Sequence, residues 1–170
     1  MDEVASAAGG WHRWAMRNTV TVVEVDFENP RHRQAVVDLV NDYARDPMGA
    51  GQDLPTAVRD DLARALHEHP TTLAFLAFVG DEPVGIAVCF VGFSTFAARP
   101  LINIHDLAVK PAYRRCGVGR CLLDGIEAKA RALGCCKLTL EVREDNLPAQ
   151  QLYRNIGFRS GGLFWSKTLA

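Results

Sequence analysis

Residues 101–133, LINIHDLAVKPAYRRCGVGRCLLDGIEAKARAL, contain three patterns in direct succession. The first nine residues are mostly apolar, which predicts a buried strand. The next ten are basic and hold two glycines, which predicts a turn. Beyond the turn, apolar residues recur every three or four positions, as on one face of a helix: Val118, Leu122, Ile126, Ala130 and Leu133. The rest of the domain is expected to assemble around this strand, turn and helix.

The turn has the spacing Arg114-x-x-Gly117-x-Gly119. Glycines let a backbone approach a ligand closely, and the helix that follows directs unpaired N–H groups and a positive dipole end at the turn. Such a junction binds phosphate, and Arg114, Arg115 and Arg120 add positive charge. A plain helix start with no ligand is the alternative. Neither a dinucleotide fingerprint nor a P-loop fits, because Leu122 stands where the third glycine would be and Gly119 is followed by Arg-Cys.

Length and composition favour one domain with a substantial core: 170 residues, 48% apolar and 23% charged. A net charge of −1 argues against a strongly basic nucleic-acid surface. The sequence has no apolar run of membrane length, and its acidic N-terminus lacks a signal-peptide core. We therefore expect a cytoplasmic protein with neither a nucleic-acid nor a membrane partner.

The five cysteines are an odd number and form no C-x-x-C pair. This usage is typical of reduced thiols, and no Cys/His spacing matches a metal site, so no metal is expected. The adjacent Cys135 and Cys136 leave open a thiol redox function.

Residues 1–18 are poorly patterned and are expected to form an N-terminal extension, with the domain spanning residues 19–170. Periodicity and turn residues give the order β α α β β β α β α β, including a helix capped by Thr56 and a last strand within residues 158–169. The central β-α-β unit predicts two parallel strands. We expect a mixed α/β (α+β) sheet of six or seven strands with about four helices.

A second motif follows the first: Asn146-x-x-Ala149-x-x-x-Tyr153-x-x-x-Gly157-Phe158. In their order and separation, the two motifs resemble the GCN5-related N-acetyltransferase (GNAT) superfamily. The resemblance covers residues 19–170 and is strongest over 103–158. It implies a GNAT-like fold in which the central parallel strands splay apart, and transfer of an acetyl group from acetyl-CoA to an amine.

The resemblance also implies where acetyl-CoA binds. The turn would hold the pyrophosphate through backbone N–H groups, the end of the central strand would pair with the pantetheine arm, and Asn146 and Tyr153 would meet the cofactor from the other side. The implied set is Leu107, Ala108, Val109, Arg114, Arg115, Cys116, Gly117, Val118, Gly119, Arg120, Asn146 and Tyr153.

Amine acetylation needs a neutral amine, a proton for the leaving thiolate and donors for the carbonyl oxygen. Tyr153 is the candidate acid, and backbone N–H groups near residues 107–109 are the candidate donors. Glu141 is the candidate base, since residues 140–143 (LEVR), twelve residues before Tyr153, resemble the ribosomal-protein alanine N-acetyltransferase branch. Glu141 as a solvated strand residue, and Asp106 or His105 as the base, remain open. Cys116 as a nucleophile is a further alternative, although the family usually transfers directly.

The acceptor is expected to bind near Tyr43, Asp46, Met48 and Asp106, whose acidic members would attract an ammonium group. Asp53 fits an ordinary loop residue better. The sequence leaves the acceptor open between a small molecule and a peptide or protein amine, and exposed strand edges would allow a homodimer. A non-catalytic CoA-binding sensor of the same fold is the alternative function.

Overall fold

A five-stranded mixed sheet forms the centre of the computed structural model, which describes residues 19–162 and Lys167. The strands lie side by side in chain order, the first four antiparallel and the last pair parallel. They are β1 (Val20–Glu24), β2 (Thr72–Val79), β3 (Glu82–Ser94), β4 (Arg99–Val109) and β5 (Leu138–Leu140). The mixed sheet and its parallel pair confirm the predicted fold class.

Four α-helices cover the two faces of the sheet: α1 (Pro30–Arg45), α2 (Thr56–Glu68), α3 (Val118–Ala132) and α4 (Leu147–Ile156). One face carries α1 and α2, and its core contains Val36, Leu39, Leu66, Leu76 and Ile86. The other carries α3 and α4, and its core contains Ile102, Ile104, Leu122, Ile126 and Tyr153. Within residues 19–162, none of the helices is long and apolar enough to cross a membrane.

Side-chain caps mark the start of two helices, α1 and α4. Asn29 accepts a hydrogen bond from Arg31 N at 2.9 Å, and Asn146 accepts one from Ala149 N at 3.2 Å. The prediction that Thr56 caps α2 is wrong, because Thr56 is already the first helical residue and Pro55 precedes it. Proline at that position fixes φ and leaves no side-chain acceptor for the first amides.

Three predicted features differ from the structure or lie outside it. The described chain has five strands rather than six or seven, and residues 158–162 of the predicted last strand are not in a strand. The rest of that strand, apart from Lys167, and the predicted extension 1–18 lie outside the described residues. Leu133, predicted on the inner face of α3, is 44% exposed because the helix ends one residue earlier.

A β-bulge at His105 changes which face of the sheet the end of β4 presents. Val88 pairs with Asp106 and Cys89 with Ile104, so His105 is the extra residue. Strict alternation would put Asp106 on the same side as Ile102 and Ile104. The bulge instead turns Asp106 toward the α1 side, where Ala108 packs, while Leu107 and Val109 contact the α3 side.

β4 and β5 pair only briefly before they separate. The paired residues are Ile102 with Leu138, Asn103 with Thr139 and Ile104 with Leu140. Beyond Ile104, β4 continues to Val109 while β5 has ended, so this part of β4 pairs with β3 alone. The predicted splay of the central parallel pair is therefore present, and β5 is shorter than the predicted 136–142.

Candidate active site

The glycine-containing turn ends in helix-terminal amides that no side chain caps. Gly117 has φ of 83°, a left-handed conformation that costs glycine little, and it immediately precedes α3. The first helical hydrogen bond runs from Cys121 N to Gly117 O at 3.0 Å. The amides of Val118, Gly119 and Arg120 therefore precede the helical ladder and are available to an anion. The Val118 side chain is buried, so its contribution to a ligand site is its backbone.

Gly119 marks where α3, α4 and the end of β4 converge. A Cβ atom on Gly119 would lie 3.3 Å from Leu152 Cδ2 and 3.9 Å from Val109 Cγ2. This spacing is tight, so a larger residue would separate the two helices. The absence of a side chain at Gly119 thus lets the glycine-containing turn lie close to the end of β4 and to α4, the helix that carries Tyr153.

The arginines of the turn already have protein partners. Arg114 Nε donates to Val109 O at 3.0 Å, and its Nη2 lies 2.5 Å from Asp46 Oδ2. Arg120 Nε pairs with Asp124 Oδ1 at 2.9 Å on the exposed face of α3. Arg115 is exposed and has a positive φ of 61°. Cys116 is half-buried between Arg115 and Gly117. The uncapped amides, rather than the side chains of Arg114 and Arg120, are therefore the main anion-binding feature.

The end of β4 that has no β5 partner contains Leu107, Ala108 and Val109 and lies next to this turn. Their backbone groups on the side away from β3 face the gap left where β5 ends. A strand edge of this kind can pair with an extended ligand through main-chain hydrogen bonds. Asn146, at the start of α4, already uses its side-chain oxygen as a helix cap, which leaves its NH₂ group for a ligand.

Tyr153 is a buried side chain on the inner face of α4. It is 9% exposed, packs in the α3-side core, and its ring centroid lies 5.8 Å from that of Phe158. Burial, with a smaller contribution from Tyr43, raises the pKa of Tyr153 to about 12. Its hydroxyl therefore keeps its proton at neutral pH, which suits a proton donor.

Glu141 follows β5 directly and is exposed. Within residues 19–162 and Lys167, its side chain makes no hydrogen bond or ion pair. Alternation from Leu140, which packs in the α3-side core, places Glu141 on the same face of the sheet as Thr139. Its role as a base stays a prediction.

An open cleft of about 420 Å³ lies on the α1 side of the sheet. It contains three of the four residues predicted for the acceptor, Tyr43, Met48 and Asp106. The complete lining is Val40, Tyr43, Ala44, Met48, Gly49, Ala50, Leu54, Asp106 and Arg143. Arg143 was missed as an acceptor-site residue, although it ends the LEVR run that singled out Glu141.

Asp106 is the acidic side chain among the residues that line this cleft. Burial raises the pKa of its carboxyl, and the nearby His105 acts in the opposite direction. Burial, then Asp106 and Asp46, raise the pKa of Tyr43, while Arg143 lowers it, so these four side chains share one electrostatic environment. His105 itself is exposed, and its ring packs edge-on against that of Phe90 with the ring centroids 5.6 Å apart.

The two aspartates of the loop after α1 hold that loop in place. Asp46 Oδ1 accepts from Met48 N at 2.8 Å while its other oxygen binds Arg114, and these contacts lower the pKa of Asp46. Asp53 Oδ1 accepts from Asn41 Nδ2 at 2.8 Å and Arg45 Nε at 2.6 Å. Buried Asn41 also accepts from Leu54 N at 2.9 Å. Asp46 thus neutralises an arginine instead of lining the cleft.

Comparison with known proteins identifies the family to which this chain belongs. Residues 36–158 match the model of the acetyltransferase (GNAT) family. The chain belongs to the GNAT family of acetyltransferases. It is 26% identical over 137 residues to a thialysine N-epsilon-acetyltransferase of Caenorhabditis elegans, covering 79% of this chain and 82% of that protein.

Two further comparisons bear on this GNAT acetyltransferase. It is 35% identical over 111 residues to the N-alpha-acetyltransferase RimI of Mycobacterium tuberculosis, covering 64% of this chain and 63% of that one. This likeness confirms the predicted similarity to the ribosomal-protein branch. The crystal structure of an aminoglycoside acetyltransferase from a soil metagenomic sample shares the fold, with a TM-score of 0.75, 17% identity and coverage of 89% and 97%.

The buried charge of Asp106 predicts a pH-dependent cost in stability. The native state holds the Asp106 proton more tightly than the unfolded chain, whose aspartates titrate at about 3.9. Stability should therefore fall as pH rises from there through the raised pKa. We expect Asp106→Asn, which cannot ionise, to raise Tm by a few degrees at neutral pH, with the gain vanishing near about pH 4. Thermal unfolding across this pH range measures the effect.

Asp81→Asn, at an exposed hairpin turn, is the matched control and should leave Tm nearly unchanged throughout. A Tm difference for Asp106→Asn that stays constant with pH would show that charge burial is not its cause.

The Asp46–Arg114 ion pair predicts an energetic link between the loop after α1 and the glycine-containing turn. Asp46 is 11% exposed and Arg114 is 48% exposed, so solvent screens the pair only in part. We expect Asp46→Asn and Arg114→Gln to be non-additive, with a coupling of about 1 kcal/mol in the free energy of unfolding. Denaturant unfolding of both single variants and the double variant measures it. The exposed Arg120–Asp124 pair should give a coupling of about 0.3–0.5 kcal/mol. Equal couplings for the two pairs would contradict the proposed link.

Proposed function

We propose that this protein transfers an acetyl group from acetyl-CoA directly to a primary amine of a small molecule, peptide or protein. The supporting observation is that the end of β4 that lacks a β5 partner lies against the uncapped start of α3 and against α4, the helix that carries the buried Tyr153. Each of these is a weak indication alone. Together they provide separate partners for an extended amide chain, an anion and a leaving thiolate.

The residues present fit acetyl-CoA, which supplies the acetyl group as an activated thioester. Donor chemistry supports the fit, because the amides of Val118, Gly119 and Arg120 suit a diphosphate. The end of β4 has no β5 partner beyond Ile104, and such a strand edge suits the amides of pantetheine, although Val109 O already accepts from Arg114. Asn146, at the N-terminus of α4, offers its side-chain NH₂ group as a further donor. The remaining members of the proposed cofactor site are Arg114, Arg115, Cys116, Gly117 and Tyr153.

The acceptor must lose a proton before it can react. Lysine-type amines have a reference pKa of about 10.4 and α-amino groups about 8, so both are mostly protonated at neutral pH. We propose Glu141 as the base, either directly or through a water molecule. Asp106 is a second candidate, favoured by its position in the cleft beside Tyr43.

Tyr153 is proposed to protonate the departing sulfur. The side chain is buried, and its hydroxyl is protonated at neutral pH as in an ordinary tyrosine, with a pKa that burial raises further, to about 12. A phenol in this state can donate a hydrogen bond or a full proton. Backbone N–H groups at residues 107–109 are proposed to stabilise the negative charge that develops on the carbonyl oxygen.

The names of the relatives support an amine acceptor but differ in which amine. They include a thialysine acetyltransferase, a streptothricin acetyltransferase and a glucosamine 6-phosphate acetyltransferase. The acceptor side of the site, rather than the cofactor side, therefore has to supply the selectivity of this protein.

Removing the Tyr153 hydroxyl should impair transfer without weakening cofactor binding. We expect Tyr153→Phe to lower kcat about 10²–10⁴-fold, the usual contribution of a general acid. Thiol release with acetyl-CoA and a panel of amines measures kcat, and calorimetry measures the Kd for CoA, which should not change.

Tyr113→Phe provides the matched control, since it removes a phenol oxygen that donates to Glu82 at 2.7 Å on the protein surface. Full activity of this variant is expected. If the unmodified protein binds CoA yet acetylates no amine of any class, the protein is a sensor and the proposed activity is wrong.

The base can be assigned by comparing two carboxylates. If Glu141 removes the proton, Glu141→Gln should lower kcat about 10²-fold or more and abolish the acidic limb of the pH–rate profile. Asp106→Asn should then keep that limb. The opposite result would transfer the role to Asp106. Glu144→Gln, a neighbouring exposed glutamate, should behave as the unmodified protein.

A further inference from the structure

The acceptor cleft contains one acidic and one basic side chain on otherwise mostly apolar walls. Asp106 lies on the sheet side and Arg143 on the segment after β5, and both line the same cavity. Tyr43 lies close to both of them, since Asp106 and Asp46 raise its pKa and Arg143 lowers it. Val40, Ala44 and Leu54 supply apolar surface along the wall. A ligand complementary to this cleft would carry one positive and one negative group joined by a short apolar segment.

Arg143 is held where a ligand can reach its guanidinium group. Gln150 Nε2 on α4 donates to the backbone oxygen of Arg143 at 3.0 Å, which fixes the main chain. The side chain is 55% exposed and pairs with Asp145 through Nε and Nη2 at 2.9 and 2.8 Å. A guanidinium group carries five N–H donors, so this pair engages only part of it. Carboxylates are its preferred anionic partners.

The other acidic residues near the cleft are already neutralised. Asp46 is bound to Arg114, and Asp53 to Asn41 and Arg45. Among the residues that line the cleft, Asp106 is the single acid. A polycation such as an aminoglycoside would need several unpaired carboxylates, which this lining does not offer.

We propose that the acceptor is a small zwitterion, an amino acid or an amino-acid-like amine, whose ammonium group faces Asp106 and whose carboxylate binds Arg143. This inference rests on the proposed acetyl transfer and narrows its acceptor. It makes Arg143 a specificity-determining residue that contacts the substrate away from the reacting nitrogen.

The test compares acceptors that differ only in the negative charge. The pairs are 6-aminohexanoate with 6-aminohexanamide and L-leucine with L-leucinamide, and kanamycin represents the polycations. Acetylation is followed by thiol release at saturating acetyl-CoA and confirmed by product mass. We expect kcat/KM to be about tenfold or more higher for at least one carboxylate than for its amide partner. Kanamycin should be the poorest acceptor.

The variant Arg143→Gln then asks whether that preference comes from the guanidinium group. It should raise KM for the preferred carboxylate about tenfold and bring the acid-to-amide ratio close to one. Arg131→Gln is the matched control, because Arg131 is an exposed arginine near the far end of α3, paired with Glu127. It should retain the full preference. Calorimetry with CoA should give the same Kd for all three proteins.

The outcomes distinguish failure of the zwitterion inference from failure of the proposed acetyl transfer. Transfer to amines with equal rates for acids and amides, or with kanamycin preferred, overturns the zwitterion inference and keeps the acetyltransferase activity. The same holds if the acid preference survives in Arg143→Gln. Binding of CoA without acetylation of any amine overturns both the proposed function and this inference.

Discussion

The separation of β4 from β5 is the constraint on which the site depends. Polar backbone groups that lose a strand partner need another partner. The gap exists because β5 pairs over three residues while β4 continues to Val109. The start of α3 and the inner face of α4 lie against the same end of β4, so sheet geometry brings together the groups proposed to bind the cofactor.

A second backbone irregularity builds the acceptor side. Without the bulge at His105, Asp106 would point into the apolar core between the sheet and α3, where a carboxylate would be very unfavourable. One extra residue transfers it to the opposite face, beside Tyr43 and the loop after α1. The two halves of the site therefore lie on different faces of the same strand, and β4 connects them.

Much of the fold and of the cofactor side could be predicted from the sequence because both have local signals. The turn glycines, the caps at Asn29 and Asn146 and the apolar stripe of α3 are readable from neighbouring residues. The acceptor side has no such signal. Arg143 reaches the cleft only through the path of the chain after β5, and Asp46 is neutralised by Arg114, a residue 68 positions away. Long-range pairing of this kind cannot be deduced from periodicity or spacing.

The loop after α1 is anchored at its two ends and exposes its middle to the cleft. Asp46 fastens the first end to the turn, Asn41 fastens the second through Asp53 and Leu54, and Met48, Gly49 and Ala50 lie between them. The segment between these anchors could therefore be exchanged as a unit. Residues 47–52 could be replaced by those of another acetyltransferase to alter acceptor choice, provided that Gly49 is retained. A Cβ atom at position 49 would come within 2.1 Å of Tyr43 O, so a grafted segment without this glycine would clash with the backbone at the end of α1.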